Sequence, residues 1–206
     1  MLLKVSEYER LVFIQEDRSL DSQETQHLSW MGSLIPDGGT IVEIGSYKGA
    51  SALAMALGAQ STSKKFIMFC IDLWMKGTGI TRTKYYKDKT FLAFIHNLQN
   101  FGVLDFTVPI MGWSKNAYKI WRGPIDLLFI DGKHNYKNCS YDATHWGKRV
   151  AEGGRIAFHD YGASWEGVTQ AVDELFATGQ WENVNRIKNI WSATKKVTPI
   201  VLPEEI

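Results

Sequence analysis

The stretch that most constrains this chain is Ile-Val-Glu-Ile-Gly-Ser-Tyr-Lys-Gly at residues 41–49. A β-branched run ends at Glu43, glycines follow at Gly45 and Gly49, and the small residues 50–52 begin a helical pattern. Glycines at these positions let the backbone turn sharply, and because they lack a Cβ a flat ligand can lie directly against the backbone. The pattern therefore predicts a strand, a tight turn and a helix that together hold a ligand.

The spacing of the glycines bears on which ligand is held. A dinucleotide fingerprint has the form G-x-G-x-x-G, whereas this chain has E-x-G-x-x-x-G from Glu43 to Gly49. That pattern resembles the first motif of the class I S-adenosylmethionine-dependent methyltransferases. A carboxylate beside the turn suits a ligand that carries an ammonium and a sulfonium group and no phosphate. The alternative is an ordinary strand, turn and helix of an α/β protein.

The composition fits one globular domain. The 206 residues are 45% hydrophobic and 22% charged, with a net charge of +1. We expect a single domain over residues 1–206, with a helical cap at 1–36 and the core at 37–206. The charge gives no general attraction to nucleic acid or to anionic lipid, so neither is an expected partner. The sequence has no signal-peptide pattern and no apolar run of membrane-spanning length, so we expect a cytoplasmic protein.

Two helices are predicted ahead of the first strand, at residues 5–17 and 21–35. Asp21 and Glu24 have the spacing of a capping box at the start of the second helix. The second predicted strand, residues 65–71, ends at Asp72, which is placed to accept hydrogen bonds from ribose hydroxyls; the alternative is a capping aspartate. The basic, aromatic stretch 73–88 is interpreted as a substrate lid, with a solvated connector or a nucleic-acid stacking surface as alternatives.

The third predicted strand, residues 106–110, contains Pro109. Because proline cannot donate a ladder hydrogen bond, this strand should lie at an edge of the sheet. The third strand is also an edge in the methyltransferase order 3-2-1-4-5-7-6, so the physical argument and the resemblance agree. Gly112, Trp113 and Ser114 follow, where such enzymes wrap the adenine. Trp113 either stacks on that ring or packs in the core.

Titratable residues follow the next two predicted strands. The strand at 125–130 runs into Asp131 and His134, and the strand at 155–158 runs into His159 and Asp160. The carboxyl ends of parallel strands share one edge of the sheet, and ligands bind at this edge in open α/β folds. We therefore expect these side chains beside the mouth of the ligand pocket, where titratable groups carry out chemistry.

These segments, Phe-Ile-Asp-Gly-x-His-x-Tyr and Gly-Gly-x-Ile-x-Phe-His-Asp-Tyr, resemble the small O-methyltransferase-like family related to the catechol, caffeoyl and macrolide-sugar O-methyltransferases. The resemblance covers about residues 41–176, with its motifs in order. It implies a Rossmann-like, doubly wound α/β fold with a seven-stranded sheet of order 3-2-1-4-5-7-6, an antiparallel final pair and N-terminal helices. It also implies S-adenosylmethionine as cofactor and O-methylation of a small hydroxylated acceptor.

In the metal-dependent relatives, the aspartate after the fourth strand and an acidic pair after the fifth hold a divalent ion. Asp131 matches the first position, and the pair is matched by His159 with Asp160 or by Asp160 with Tyr161, each with one departure from the pattern. The resemblance thus gives Asp131, His159 and Asp160 as metal ligands, for Mg²⁺ or another divalent cation; a histidine in the set favours a transition metal. His134 stands where catechol-type relatives carry a lysine, and we expect it to be the general base. His159 is the second candidate for the general base. For either histidine, the alternative is a purely structural role.

The sequence therefore predicts a methyltransferase whose partner is a small-molecule acceptor, and it leaves a homo-oligomer open. The tail has two β-prone runs, at 184–190 and 191–197, that fit the antiparallel final pair. Two rival functions remain: a nicotinamide-dependent oxidoreductase, disfavoured by the missing third glycine, and a cofactor-binding module without catalysis. The predicted catalytic residues are His134, His159 and Asp131, and the predicted cofactor-binding residues are Glu43, Gly45, Ser46, Gly49, Asp72, Leu73, Trp74, Gly112, Trp113, Ser114 and Asp131.

Overall fold

The computed structural model describes residues 20–74 and 90–198. The predicted helix at 5–17 and most of the predicted lid at 73–88 lie outside these residues. In chain order, the described elements are α1 (Ser22–Ser33), β1 (Gly39–Ile44), α2 (Ala50–Gln60), β2 (Phe66–Asp72), α3 (Thr90–Asn100), β3 (Thr107–Met111), α4 (Ser114–Ile120), β4 (Ile125–Ile130), α5 (Tyr136–Arg149), β5 (Val150–Phe158), α6 (Glu166–Ala177), β6 (Trp181–Ile187) and β7 (Ile190–Lys195).

The seven strands form one sheet of order β3-β2-β1-β4-β5-β7-β6. Strands β1 to β5 are parallel to one another, whereas β7 runs antiparallel to both β5 and β6. The predicted topology is confirmed. The position of β3 at an edge also agrees with the argument from Pro109, because in the described sheet β3 pairs with β2 alone.

Helices cover both faces of the sheet. On one face, α1, α2 and α3 pack on inward residues such as Ile41 and Leu127. On the other face, α4, α5 and α6 pack on residues such as Val42 and Leu128. Since successive strand residues point to opposite faces, a strand covered on both sides is mostly apolar, which explains the buried apolar run at residues 127–130 of β4. The described residues contain no helix long and apolar enough to cross a membrane.

Helix α1 begins as the sequence predicts. The Asp21 carboxylate accepts hydrogen bonds from the backbone N–H groups of Gln23 and Glu24, and the Glu24 side chain accepts one from the Asp21 N–H. This capping box satisfies donors that the first turn of a helix leaves free. The helix ends at Ser33 rather than at the predicted residue 35.

Three boundaries near the end of the chain differ from the predicted ones. Strand β5 begins at Val150, not Arg155, because the glycines at 153 and 154 lie within the strand instead of forming a turn before it. Strand β6 begins at Trp181 rather than residue 184, and β7 begins at Ile190 rather than residue 191. Phe176 lies on α6 beyond its buried stripe and is 44% exposed. Boundaries depend on pairing with other strands, which local pattern does not specify.

Helices α1 and α2 touch through their backbones at two glycines. A Cβ added to Gly58 would lie 1.9 Å from the carbonyl oxygen of Ser29, and one added to Gly32 would lie 2.0 Å from that of Met55. Because backbone atoms cannot move aside as a flexible side chain can, larger residues at these positions would separate the helices. The two glycines thereby set the position of α1 relative to the sheet.

We expect Gly58→Ala to lower the free energy of unfolding by about 1–3 kcal/mol, the usual cost of overpacking. Gly147→Ala in α5 is the matched control, since a Cβ there meets only ordinary contacts, the closest at 3.6 Å. Alanine is the better helix former by up to about 1 kcal/mol, so the control should be neutral or stabilising. Chemical denaturation measures both, and equal losses in the two variants would contradict the backbone contact.

Candidate active site

The turn between β1 and α2 lies directly against the end of β4. Gly45 has φ +92°, and a Cβ on it would lie 2.0 Å from the carbonyl oxygen of Asp131. The Asp131 N–H donates to the Ile44 carbonyl at 2.8 Å, and the Gly45 N–H donates to the Ile71 carbonyl at 2.8 Å. The predicted ligand turn and the predicted catalytic aspartate are therefore in backbone contact.

The rest of the turn is built for close packing. Gly49 precedes the first residue of α2 with φ +88°, and a Cβ on it would meet the side chains of Leu98 and Phe94 on α3. The Gly49 N–H donates to the Ser46 carbonyl at 2.7 Å. Within the described part of the chain, the buried Ser46 hydroxyl has no hydrogen-bond partner. A buried polar atom without a partner is uncommon in native structures and calls for an explanation, such as a catalytic role or a bound water or ion.

Glu43 is fully buried beneath this turn. One carboxylate oxygen accepts a hydrogen bond from the Ser51 hydroxyl, and the other has no partner among the described residues. Burial raises the pKa of Glu43 to about 7 despite the hydrogen bonds that stabilise its charged form. Near neutral pH, the Glu43 carboxyl group therefore populates both its protonated and its ionised form.

The raised pKa of Glu43 predicts a particular pH dependence. Between the ordinary pKa of 4.5 and the raised pKa of about 7, the native state keeps a proton that the unfolded state releases. The free energy of unfolding therefore falls as pH rises through this window, by on the order of 3 kcal/mol. Glu43→Gln should flatten that part of the profile in chemical denaturation from pH 4 to pH 8. Glu166→Gln, at an exposed site on α6, is the control. A wild-type slope retained in Glu43→Gln would refute the assignment.

Asp72 ties two turns together. Its carboxylate accepts the N–H of Tyr47 at 2.8 Å and the N–H of Trp74 at 2.6 Å. The Trp74 indole N–H in turn donates to the Tyr47 carbonyl at 2.8 Å, while its ring packs against Phe91 and Phe94. Trp74, predicted to bind cofactor, is therefore a core residue in this structure, and the half-buried Leu73 lies beside it. Asp72 therefore caps backbone N–H groups, which was the alternative role predicted for it, and it also lies at the carboxyl edge of the sheet.

The segment after β3 contacts a buried carboxylate on α5, Asp142, that sequence reasoning missed. The Ser114 hydroxyl donates to Asp142 at 2.6 Å, and Asp142 lies on the buried face of α5 with a pKa that burial raises to about 6. The side chain of Trp113 is 38% exposed, and the Lys133 ammonium lies 4.5 Å from the centre of its ring. A signal for Asp142 exists in the sequence, since this acid interrupts the apolar stripe of Cys139, Ala143 and Trp146.

Asp131, His134 and Asp160 form a compact cluster at the carboxyl ends of β4 and β5. One ligand atom from each residue lies within 4.8 Å of the others. The Nε2 of His134 is 2.7 Å from Asp160 Oδ2 and 3.6 Å from Asp131 Oδ1. Asp160 adopts the left-handed conformation, with φ +63°, which a non-glycine residue rarely does. Two carboxylates and an imidazole could hold a metal ion or an acceptor hydroxyl.

The charges within this cluster are strongly coupled. Hydrogen bonds to Asp131 and Asp160 raise the pKa of His134 to about 9. Burial raises the pKa of Asp160, but the two histidines outweigh it and hold that pKa well below its usual range. The imidazole of His134 therefore carries its proton at neutral pH in this arrangement. It can take a proton from an acceptor once both carboxylates have other partners.

A tryptophan covers one face of the cluster. The ring of Trp165 stacks on His134 with 4.5 Å between ring centres and 21° between planes, and its side chain is 48% exposed. Gly167 makes this stacking possible, because a Cβ there would lie 2.4 Å from the Tyr136 backbone nitrogen. Trp165 thus forms a wall between the cluster and solvent, and no sequence motif marked it.

His159 lies on the buried side of the same carboxylates. Its Nδ1 is 3.4 Å from Asp160 Oδ1 and 3.7 Å from Asp131 Oδ1, and its Nε2 is 3.6 Å from Glu24 Oε2. Burial lowers the pKa of His159, but Asp160 and Glu24 outweigh it and raise the pKa to about 10. Both histidines thus contact the predicted acidic ligands, but the compact group of possible ligand atoms contains His134 in place of the predicted His159.

Two other histidines make side-chain contacts away from the cluster, and the predicted acidic residues lie at the carboxyl edge of the sheet. His27 contacts the Ser192 hydroxyl at 2.9 Å, and His145 bonds to the Tyr141 carbonyl at 3.0 Å, as expected for structural roles. Glu43, Asp72, Asp131 and Asp160 all lie at or next to the carboxyl ends of adjacent strands, as the sequence predicts. The roles of these individual residues stay predictions.

The sheet order, the antiparallel β7 and the glycine turn beside an acidic edge define the class I methyltransferase fold. The sequence profile of a family described as a methyltransferase domain matches residues 42–161, and the chain belongs to this family. Family and fold together confirm the predicted class, a class I S-adenosylmethionine-dependent methyltransferase. The nicotinamide-dependent alternative finds no support in them.

Solved methyltransferase structures share this fold. The O-methyltransferase NovP has a TM-score of 0.65 and 18% identity, covering 92% of this chain and 80% of its own. The S-adenosylhomocysteine-bound PaMTH1 of Podospora anserina has a TM-score of 0.66 and 17% identity, covering 96% and 90%. TomG, an O-methyltransferase of tomaymycin synthesis from Streptomyces achromogenes, has a TM-score of 0.64 and 13% identity, covering 96% and 92%. At these identities the likeness concerns the fold.

Proposed function

We propose that this methyltransferase transfers the methyl group of S-adenosylmethionine to a hydroxyl oxygen of a small acceptor. The observation that carries the proposal is the contact between the glycine turn and the residue that begins the cluster, Gly45 against Asp131. A donor bound at the turn is thereby next to groups able to take a proton. In-line displacement depends above all on such placement of the reacting groups.

The residues around the turn fit the methyl donor. Glu43 and Ser46 each have a buried oxygen without a partner among the described residues, and a ligand ammonium group supplies the donors that both lack. Asp72 uses its oxygens for backbone N–H groups, but an ionised carboxylate has about four acceptor sites, which leaves room for ribose hydroxyls. Gly112, Trp113 and Ser114 are the proposed adenine wall, together with the newly identified Asp142.

The acid and imidazole cluster is the proposed site of the acceptor hydroxyl. The hydroxyl proton passes to the cluster, the new O–C bond forms, and the C–S bond of the sulfonium breaks with its electron pair left on sulfur. His134 is the proposed proton acceptor once Asp131 and Asp160 have other partners, such as the acceptor hydroxyl. Trp165 excludes water from one side of the imidazole and offers a flat apolar surface to the acceptor. Proton transfer to a positioned base typically contributes 10²–10⁴-fold to rate.

The acid and imidazole cluster also has the donors to bind a divalent cation. Asp131, Asp160 and a histidine offer oxygen and nitrogen donors within one small cluster, and the imidazole favours a transition metal over Mg²⁺. When bound, such an ion lowers the pKa of a coordinated hydroxyl. These residues would hold it, with His134 or His159 supplying the nitrogen. The names of NovP and TomG, both O-methyltransferases, support oxygen as the accepting atom.

Calorimetric titration tests the proposal. We expect saturable binding of S-adenosylmethionine and S-adenosylhomocysteine, and none of NAD. Repeating each titration after EDTA treatment and after adding Mn²⁺ or Mg²⁺ tests the cation, whose contribution is supported if methyl transfer falls with EDTA and returns with Mn²⁺. Binding of NAD alone would overturn the methyltransferase proposal. A non-catalytic binding module would be favoured by a different pair of results. The wild type would bind S-adenosylhomocysteine, and the Asp131→Ala and His134→Ala variants would keep the physiological role of the wild type.

A further inference from the structure

Glu24 is an unusual residue for the first turn of a surface helix, because its side chain is 3% exposed. The carboxylate lies where the start of α1 meets the carboxyl edge of the sheet. It is 135 positions along the chain from His159, its partner across the domain. A buried acid normally requires hydrogen bonds or an opposite charge to offset the loss of water.

Two backbone donors from distant parts of the chain hold the Glu24 carboxylate in place. Oε2 accepts the Asp21 N–H at 2.9 Å, and Oε1 accepts the Asn189 N–H, from the turn between β6 and β7, at 3.1 Å. Both bonds come from backbone that is itself fixed by the helix and the sheet. The carboxylate is therefore a rigid feature of the fold.

The fixed carboxylate faces one nitrogen of His159, while the other nitrogen faces the cluster. Glu24 Oε2 lies 3.6 Å from Nε2, and Nδ1 lies 3.4 Å from Asp160 and 3.7 Å from Asp131. The ring is 8% exposed, and within the described residues Nε2 has no hydrogen-bond partner. A ring rotated about its Cβ–Cγ bond would lose its carboxylate neighbours on both sides. The position of Glu24 thus selects the orientation that turns Nδ1 toward Asp131 and Asp160.

We propose that Glu24 is a positioning residue that orients His159 toward the Asp131 and Asp160 carboxylates, which makes the first turn of α1 part of the active-site framework. The proposal rests on the proposed function for its effect on catalysis, but the orientation itself does not depend on it. For metal-ligating histidines, removing a carboxylate that fixes the far nitrogen typically lowers metal affinity or activity by 10–100-fold, and we expect an effect of the same order here.

Three variants separate positioning from helix capping. Glu24→Ala removes the carboxylate that faces His159, and Glu24→Gln keeps an oxygen that can accept a hydrogen bond. Asp21→Ala removes the other half of the same capping box without touching His159. The readouts are the ring ¹⁵N signals of His159, assigned with His159→Gln, and kcat and KM for methyl transfer from S-adenosylmethionine to 3,4-dihydroxybenzoate.

We expect the His159 ring signals to move in Glu24→Ala, to move less in Glu24→Gln and to stay in place in Asp21→Ala. In parallel, kcat should fall about 10–100-fold in Glu24→Ala, with partial rescue by glutamine and the KM for S-adenosylmethionine unchanged. Asp21→Ala should lower the melting temperature yet keep kcat within two-fold. Unmoved ring signals in Glu24→Ala, or equal kcat losses in Glu24→Ala and Asp21→Ala, would overturn the proposal. If the wild type binds no S-adenosylmethionine, the proposed function fails and the ring signals alone decide the orientation.

Discussion

Replacing Gly45 by alanine is expected to abolish saturable S-adenosylmethionine binding and to destabilise the fold by about 3 kcal/mol or more. Two penalties combine at this residue: a φ of +92°, and a Cβ that would lie 2.0 Å from the carbonyl oxygen of Asp131. Left-handed strain alone costs about 1–3 kcal/mol, and the clash is with backbone that carries the ladder between β1 and β4. Relieving it must move the turn away from Asp131.

Gly38→Ala isolates the first penalty. Gly38 also has a positive φ, +76°, but a Cβ on it meets nothing within 4 Å. Its loss of stability, measured by denaturant titration, should stay near 1 kcal/mol, and calorimetry should show unchanged cofactor affinity. If Gly45→Ala resembled Gly38→Ala in both measurements, the close contact of the turn with Asp131 would not matter for binding.

His134→Ala is expected to lower kcat by about 10²–10⁴-fold while S-adenosylhomocysteine still binds with wild-type affinity. The imidazole lies at hydrogen-bond distance, 2.7 Å, from Asp160 and on the exposed side of the cluster, whereas the donor is proposed to contact the turn. The loss should therefore fall on the chemical step. Steady-state kinetics with the acceptor and calorimetry with the cofactor product separate the two effects.

The matched control is His96→Ala, an exposed histidine on α3. Its kcat should equal that of the wild type. A melting temperature within a few degrees of wild type in His134→Ala would exclude global unfolding as the cause of lost activity. A His134→Ala protein with full activity would remove this residue from the proposed chemistry and leave His159 or a bound cation to accept the proton.

Much of this arrangement could be predicted because it follows from parallel strands alone. Strands β4 and β5 end at Asp131 and at His159 and Asp160, and parallel neighbours bring their ends to one edge. Pro109 likewise fixed β3 at an edge, since a proline cannot be paired on both sides. These predictions depend only on local pattern and on the geometry of a sheet.

The contacts that were missed depend on how separate elements pack. Glu24 was expected to cap its own helix, which it does, but its contact with His159 arises only when α1 lies over the end of β5. Trp165 reaches His134 because a glycine two residues later lets α6 approach the backbone at Tyr136. Trp74, predicted to bind the cofactor, also packs on α3. None of these is encoded in residue spacing.

The contact between Gly45 and Asp131 also limits how the enzyme could be redesigned. At the proposed site, the turn that would bind the donor is in direct contact with the backbone of Asp131, so neither can move there without deforming the other. Changes that admit new acceptors are therefore expected on the opposite flank, at Trp165, whose side chain is 48% exposed. Selection for altered substrate range should accumulate changes around the start of α6 and leave the contact between Gly45 and Asp131 unchanged.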